Sequence, residues 1–398
     1  MKINCIGLGY VGLPTSLLLA QKNFDVVGVD VDEKKIKKIN SHNLFFNEID
    51  LRDLYSKVLK KNNFKAKSSP EEGDVFFIVV PTPVNSDKSY DLSFLNSAVD
   101  SVIPFLKEGN ILIIESTVPV KTTQLISEKI FKARKDLEGK IYVAYCPERV
   151  LPGNTLYELK NNDRVIGGIN KISTQKVINF YREFVDGNLY EADSNTAELC
   201  KLAENSFRDN QIAFANELSI ICDELNVNVN NLIKIANKHP RVNILKPGTG
   251  VGGHCIAVDP WFLISDFPNK TNLIKKSREV NEFKTEWCIK KINSLIIEYY
   301  EIHKKYPLVS CMGITYKQNS DDLRESPSLK IAKNLKNQTN FKTLICDPNL
   351  DSHSDFELSD FKKAYADSDI ILWLVNHEEF GTIKKIEGKK ELDFCGLN

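Results

Sequence analysis

The 398-residue chain has no surplus of charge of either sign: 53 Lys and Arg are matched by 53 Asp and Glu. That balance supplies no global field to draw in nucleic acid or an anionic membrane, and partners of either kind are not expected. A local basic pocket for a phosphorylated ligand remains compatible with it. The chain also lacks an apolar run long enough to span a bilayer. Its first residues, MKINCIGLGYVG, enter a strand at once, leaving no room for a leader peptide. The nine cysteines form no CxxC pair and show no metal-ligand spacing, so no metal site is expected. An odd count without a framework points to reduced thiols in a cytoplasm. Cys5 and Cys346, inside apolar runs, read as small buried hydrophobes.

What is present is apolar material in an alternating pattern. INCIGLG, FDVVGVD, DVFFIVV, ILIIEST, KIYVAYCPE and DRVIGGI read as strands, with VGLPTSLLLAQKN and SFLNSAVDSVIPFL as helices among them. Continuous apolar strands alternating with amphipathic helices predict a parallel sheet covered on both faces. From Asn195 the pattern changes to helical periodicity over many turns, too long for an ordinary globular helix and therefore expected to run between domains. PLVSCMGITY, KTLICDP and DIILWLV, with SPSLKIAKNLKN and FKKAYA, then predict a second, smaller α/β unit. The expected division is 1–194, 195–300 and 301–398.

Gly7, Gly9 and Gly12 form GLGYVG between the first strand and the first helix. Glycines there permit a tight turn and close approach of the backbone to a pyrophosphate, which the helix N-terminus then favours. A lone GxGxxG is a weak signal, but this one has the required context, with Asp30 ending the next strand. A carboxylate at Asp30 suits the ribose hydroxyls of NAD and repels the extra phosphate of NADP. Thr82 in VPTP and Thr117 in ESTVP follow apolar strands, where an open parallel sheet has its ligand crevice. Ordinary turn or N-cap chemistry explains both threonines equally well.

The segment GTGVGGHCIAVDP places Cys255 in a glycine-rich loop, with Gly252, His254 and Asp259 close by. Little core surrounds such a loop, so packing is a poor reason for a thiol, and neighbouring N–H groups suit a thiolate or an oxyanion. The competing reading is a structural loop with a buried thiol. Lys201, Asn205 and Arg208 recur at i, i+4 and i+7 on one face of the long helix. A solvated stripe would explain a lysine alone, whereas Asn is a mediocre helix former and hints at a role. Glu148 and Arg149 follow a strand in YCPERVLPG. Arg149, His239, Arg241, Lys317 and Arg324 lie in turn-rich segments and are candidates for phosphate or sugar contacts; singly, each would be read as a surface charge.

Taken together, GLGYVG, VPTP, EST, CPERVLPG, AELCKLAENSFRD, HPRVN, GVGGHCIAVDP and YKxxxxDLRESP resemble the UDP-glucose/GDP-mannose dehydrogenase family, in the family's order and over nearly the whole chain. Within it, the wording is closest to the branch that acts on UDP-N-acetyl-D-mannosamine. The resemblance implies two Rossmann-like parallel-sheet domains joined by a central helical domain that forms a homodimer, with the UDP moiety bound by the C-terminal domain. It implies oxidation of the sugar C6 hydroxyl to a carboxylate with two NAD⁺ and one water. Cys255 then falls on the family's nucleophile and Lys201 on its proton donor and acceptor. Asn205 and Asp259 fall on the groups that orient water and the oxyanion, and Glu148 on the glutamate that assists thioester hydrolysis. Arg149, Val150, Lys201, Asn205, Arg208, His239, Arg241, Gly252, Tyr316 and Lys317 fall on nucleotide-sugar contacts. Gly7, Gly9, Tyr10, Val11, Gly12, Asp30, Lys35, Thr82, Thr117 and Arg324 fall on NAD contacts.

One departure bears on the substrate. Members acting on UDP-glucose usually carry Pro-Lys-Asp where this chain has Ala257, Val258 and Asp259. The missing lysine argues against UDP-glucose. UDP-N-acetylglucosamine and UDP-glucose remain the nearest rivals, followed by a two-electron dehydrogenase that needs no cysteine and a non-catalytic NAD-sensing scaffold that would tolerate loss of Cys255 and Lys201.

Overall fold

The computed structural model describes residues 1–41, 49–150 and 153–397, so Leu151 and Pro152 of the CPERVLPG motif lie outside the described residues. The described chain divides into two compact units, Met1–Ala203 and Glu204–Asn398. The boundary falls inside the long helix that the sequence periodicity predicts, observed as Ser194–Glu224.

In the first unit, β1 (Lys2–Ile6), α1 (Gly12–Gln21), β2 (Asp25–Val29), α2 (Glu33–Asn40), α3 (Ile49–Lys61) and β3 (Phe64–Lys67) come first. Then follow β4 (Val75–Ile78), α4 (Ser93–Val102), β5 (Ile111–Ile114), α5 (Thr122–Ala133) and β6 (Tyr142–Tyr145). The unit continues with α6 (Thr155–Asn161), β7 (Arg164–Gly168), α7 (Lys171–Tyr181), β8 (Leu189–Asp193) and the start of α8 (Ser194–Glu224). The strands form one sheet in the order β3-β2-β1-β4-β5-β6-β7-β8. VFFI of β4 and ILII of β5 are buried at every position, as strands covered on both faces must be. The strand order reverses between β1 and β4, which places a crevice at their carboxyl ends.

The sheet is not wholly parallel: β7 pairs with β6 antiparallel. A parallel neighbour would require the chain to cross back to the amino ends of the strands. After β6 it instead runs through α6 and re-enters from the carboxyl side. The register pairs Tyr145 with Gly167. Glu148 lies three residues beyond Tyr145 and Arg164 three before Gly167, so the same register brings Arg164 beside Glu148.

The second unit holds the rest of α8, then α9 (Val229–Ala236), α10 (Pro260–Asp266) and α11 (Asn272–His303). Next come β9 (Val309–Met312), α12 (Pro327–Lys336), β10 (Thr343–Cys346), α13 (Phe361–Asp367), β11 (Ile370–Trp373) and β12 (Lys390–Asp393). Its sheet is fully parallel, in the order β10-β9-β11-β12. Both α12 and α13 start on side-chain caps, Ser326 accepting from the Leu329 N–H and Asp360 from the Lys363 N–H.

The two sheets share one device. After β1, Gly7 takes a φ of 103°, its N–H donates to the Val29 carbonyl, and the Leu8 N–H donates to the Asp30 carboxylate at 3.0 Å. After β9, Gly313 takes a φ of 88°, its N–H donates to the Cys346 carbonyl, and the Ile314 and Thr315 N–H groups donate to the Asp347 carboxylate at 2.7 and 3.1 Å. Each strand-to-loop turn thus ends on a carboxylate from the neighbouring strand.

A buried polar knot joins α8 to α11. Asp209 accepts from Arg278 at 2.7 Å and from the Asn281 amide at 2.8 Å, and Asn281 also accepts from Asn216 at 2.9 Å. Removing one partner of a buried ion pair strands the other charge away from water. Arg278→Met should therefore cost about 3–5 kcal/mol of stability, read as a lowered urea-unfolding midpoint.

Candidate active site

The first unit supplies a cradle with no room for side chains. A Cβ on Gly7 would lie 2.1 Å from the Val79 carbonyl oxygen, and one on Gly12 would lie 1.8 Å from the Gly7 carbonyl oxygen. Gly9 differs, since a Cβ there would meet nothing within 4 Å. Gly9 therefore faces open space, where a ligand can approach the backbone. Val11 stands at the N-cap of α1, and no side chain caps that helix. In α2 and α7, by contrast, Asp32 and Asn170 provide such caps. The end of α1 thus has the form of an anion site. Tyr10, beside it, is exposed.

Asp30 closes this cradle. It is buried, accepts the Leu8 and Asp32 N–H groups at 3.0 Å each, and pairs with Lys35 at 2.7 Å. Burial alone would raise its pKa, but Lys35 and the two backbone donors outweigh burial and hold it below the ordinary aspartate value. An ionised carboxylate at the end of β2 is what ribose hydroxyls require. The residues present therefore fit a bound dinucleotide. Thr82 and Thr117 are brought together as well: the Thr82 hydroxyl donates to the Thr117 carbonyl at 2.7 Å. Beside them, Ser116 Oγ accepts from the Val80 N–H at 2.9 Å, tying the ends of β4 and β5.

The second cluster of the first unit is built on Glu148. Its Oε2 accepts from Arg164 at 2.9 Å and its Oε1 from the Arg149 N–H at 2.6 Å. Its main-chain carbonyl accepts from Lys201 Nζ at 2.8 Å. Lys201 and Glu148 are both buried. Arg149 is half-buried, with its guanidinium near the Asp163 carbonyl and the Cys200 sulfur, each at 3.4 Å. Val150 next to it is half-buried too.

In the second unit, the carbonyl of Cys255 accepts the Val258 and Asp259 N–H groups at 2.9 and 2.8 Å, making a tight turn just before α10. The buried Asp259 carboxylate accepts from the Asn205 amide at 2.5 Å. Six of the nine cysteines are buried, and burial raises the thiol pKa of every one, to about 12 at Cys5, Cys146, Cys288 and Cys346. Cys255 is half-buried instead, on a loop of glycines. Gly252 has no room for a Cβ, which would meet the Glu325 carbonyl at 2.7 Å and Tyr316 at 2.8 Å. Tyr316 packs against Gly253, and burial, followed by Asp322 and Cys255, pushes its phenol up to about 12. Lys317 sits 5.7 Å from the Tyr316 ring centroid. Arg324 is exposed and forked onto Asp322, and its carbonyl accepts the Gly253 N–H at 2.9 Å. Arg208, His239 and Arg241 are exposed, with the Arg241 N–H donating to His239 Nδ1 at 3.3 Å.

The sequence reading missed three buried groups around Glu148: Arg164, Glu115 and Tyr181. The available signal was a charge opening the apolar strand RVIGG and another ending ILIIE. No cluster of potential metal ligands occurs among the described residues, and none of their helices is long and apolar enough to cross a membrane.

Three profiles of one family match in order: the UDP-glucose/GDP-mannose dehydrogenase NAD binding domain on residues 1–185, the central domain on 195–283 and the UDP binding domain on 310–395. A UDP-N-acetyl-D-mannosamine dehydrogenase of Methanococcus maripaludis is 46% identical over 389 residues, 96% of this chain and 88% of the relative. An NDP-N-acetyl-D-galactosaminuronic acid dehydrogenase of Ralstonia solanacearum is 42% identical over 99% of this chain and 96% of its own. Among solved structures, the UDP-N-acetyl-mannosamine dehydrogenase Cap5O from Staphylococcus aureus superposes with a TM-score of 0.88 at 39% identity, covering 100% of this chain and 95% of that one.

The cofactor is NAD. Asp30→Ala should raise the KM for NAD⁺ about 10- to 100-fold, since a hydrogen bond to a charged group contributes about 1.5–3 kcal/mol. Initial rates against NAD⁺ and NADP⁺ check this, and the preference for NAD⁺ should narrow in the variant.

Proposed function

We propose a specific reaction for this chain, which belongs to the UDP-glucose/GDP-mannose dehydrogenase family: the four-electron oxidation of UDP-N-acetyl-D-mannosamine at C6 to UDP-N-acetyl-D-mannosaminuronate. The chain is an NAD-dependent nucleotide-sugar dehydrogenase; the sugar and the covalent route are the proposal. The observation that carries it is Cys255, the half-buried thiol of a glycine-rich loop whose turn is held by Asp259, itself bonded to Asn205.

NAD⁺, held by the Gly7–Gly12 turn and Asp30, would supply the hydride acceptor for both oxidations. Lys201, or a water held by Asp259, takes the proton of the C6 hydroxyl as the carbon gives up its first hydride. The resulting aldehyde is a poor hydride donor. The Cys255 thiolate adds to it, and the tetrahedral thiohemiacetal gives up the second hydride readily to become a thioester. Asn205 and Asp259 orient the oxyanion and the water, and Glu148 assists the hydrolysis that frees the acid. Arg149, Val150, Arg208, His239, Arg241, Gly252, Tyr316 and Lys317 contact the nucleotide sugar, and Arg324 contacts NAD.

Substrate choice is supported by the Methanococcus maripaludis and Staphylococcus aureus relatives, both named for N-acetyl-mannosamine, and by Val258, where family members acting on UDP-glucose usually carry lysine. The Ralstonia solanacearum relative, named for an N-acetyl-D-galactosaminuronic acid, keeps a galacto-configured sugar as the second reading. The domain division proposed is 1–194 for NAD, 195–300 for dimerisation and 301–398 for UDP. A homodimer is supported by an exposed apolar row on α8: Phe207, Phe214 and Ile221 recur every seven residues. Nine free cysteines suit a reducing cytoplasm, and the product serves surface polysaccharide synthesis.

Cys255→Ala should lose net turnover by about 10³-fold or more, since no other group forms the covalent adduct. Undiminished formation of the uronate by that variant would remove Cys255 from the mechanism. Side-by-side assays on the N-acetylated manno-, gluco- and galacto-sugars and on UDP-glucose should give the highest kcat/KM for the manno form. Phe214→Asp should shift the protein to a monomer on size-exclusion chromatography with light scattering.

A further inference from the structure

Arg164 is the charged residue least explained by the chemistry above. It opens β7, it is 1% exposed, and a buried guanidinium is costly unless paired and hydrogen-bonded. Two carboxylates face it. Glu148 takes the direct contact, Oε2 to NH1 at 2.9 Å, while NH2 reaches the Leu159 carbonyl at 3.2 Å. Glu115 ends buried, with its Oε1 accepting from the Tyr181 hydroxyl at 2.5 Å. Burial pushes the Glu115 carboxyl up to about 7, against the pull of Arg164 and with the push of Glu148. Cys146, also buried, lies in the same cluster. One cation therefore serves two acids, and the geometry gives it to Glu148.

We propose that Arg164 is the positioning residue for thioester hydrolysis: it fixes the Glu148 side chain so that one carboxylate oxygen can orient the attacking water. The inference rests on the reading of Glu148 given above. With Oε2 held by Arg164 and Oε1 by the Arg149 N–H, the rotamer is set from both ends. A carboxylate has about four lone-pair sites, so acceptor capacity remains for a water. In the step it serves, the water oxygen bonds to the acyl carbon and the C–S bond breaks. The electron pair leaves with Cys255 sulfur, and the water's proton passes to Glu148. Arginine suits the post because its planar fork keeps two fixed directions, one spent on Glu148 and one on the Leu159 carbonyl; lysine would keep the charge without the fork.

The test separates the hydride transfers from hydrolysis. Full-length enzyme is mixed rapidly with NAD⁺ and UDP-N-acetyl-D-mannosamine, the NADH burst is followed, and quenched samples are weighed by intact-protein mass spectrometry. Arg164→Gln should keep a burst of about two NADH per active subunit, accumulate the acyl adduct on Cys255, and lower the steady-state rate about 10- to 100-fold with the sugar KM within about twofold. Arg164→Lys should recover part of that rate. Equal loss of burst and steady state, with no adduct, would mean a merely structural role and overturn the proposal. Should the Gln variant fail to fold, the same readouts on Arg164→Lys decide: adduct accumulation supports the inference, its absence refutes it. Glu148→Gln is the control. No adduct in Glu148→Gln refutes the reading of Glu148 itself; adduct there but not in the Arg164 variants refutes only the role of Arg164.

Discussion

Two carbonyl oxygens leave no space for a side chain where the first strand turns into the first helix, and much of the first unit follows from that. With Gly7 against the Val79 carbonyl and Gly12 against the Gly7 carbonyl, β1, β4 and α1 meet at backbone contact. Any larger residue would push the helix off the sheet. The close approach aims the start of α1 at the carboxyl edge, where the crevice lies, and lets the Leu8 N–H reach Asp30. The same turn recurs at Gly313 and Asp347, so the second sheet organises its own carboxyl edge in the same way. There His377 meets the carboxylate at 3.2 Å, where Lys35 meets Asp30 in the first unit.

Charge placed inside the protein forms the second layer. Arg164 with Glu148 and Arg278 with Asp209 are buried pairs, and pairs of this kind are weak arguments for stability because desolvation offsets their attraction. Their value is geometric. A buried carboxylate that has one cationic partner and one backbone donor has few places to go. Asp30 and Glu148 are held in this way, Asp259 is held by the Asn205 amide, and each is assigned a part in binding or chemistry.

Much of this was legible in the sequence. GLGYVG between a strand and a helix, with Asp30 one strand later, specifies its own geometry because each residue is local to the turn it makes. The row Lys201, Asn205 and Arg208 was also legible as a helix face, but not the different surroundings of its members: Lys201 is buried against the Glu148 carbonyl, Asn205 bonds Asp259 and Arg208 is exposed. Those surroundings depend on residues about 50 positions away. Arg164 was missed for the same reason. Its partner is set by an antiparallel register between β6 and β7, and apolar strands alternating with helices predict only parallel neighbours. The echo at Asp347 was missed because its loop, GITYK, lacks the second and third glycines that mark the first.

The chemistry turns on why a dehydrogenase carries a half-exposed thiol in a loop of glycines. A single oxidation has no use for such a group; in the proposed second oxidation it makes the aldehyde tetrahedral, so that the same carbon can yield another hydride. The most direct measurement is the yield of NADH per mole of UDP-N-acetyl-D-mannosamine consumed to completion by the unmodified enzyme, with the product identified by mass. The account predicts about two NADH and a uronate for each sugar, one hydride for each of the two oxidations. A yield of one, with an aldehyde or ketone released, would contradict it.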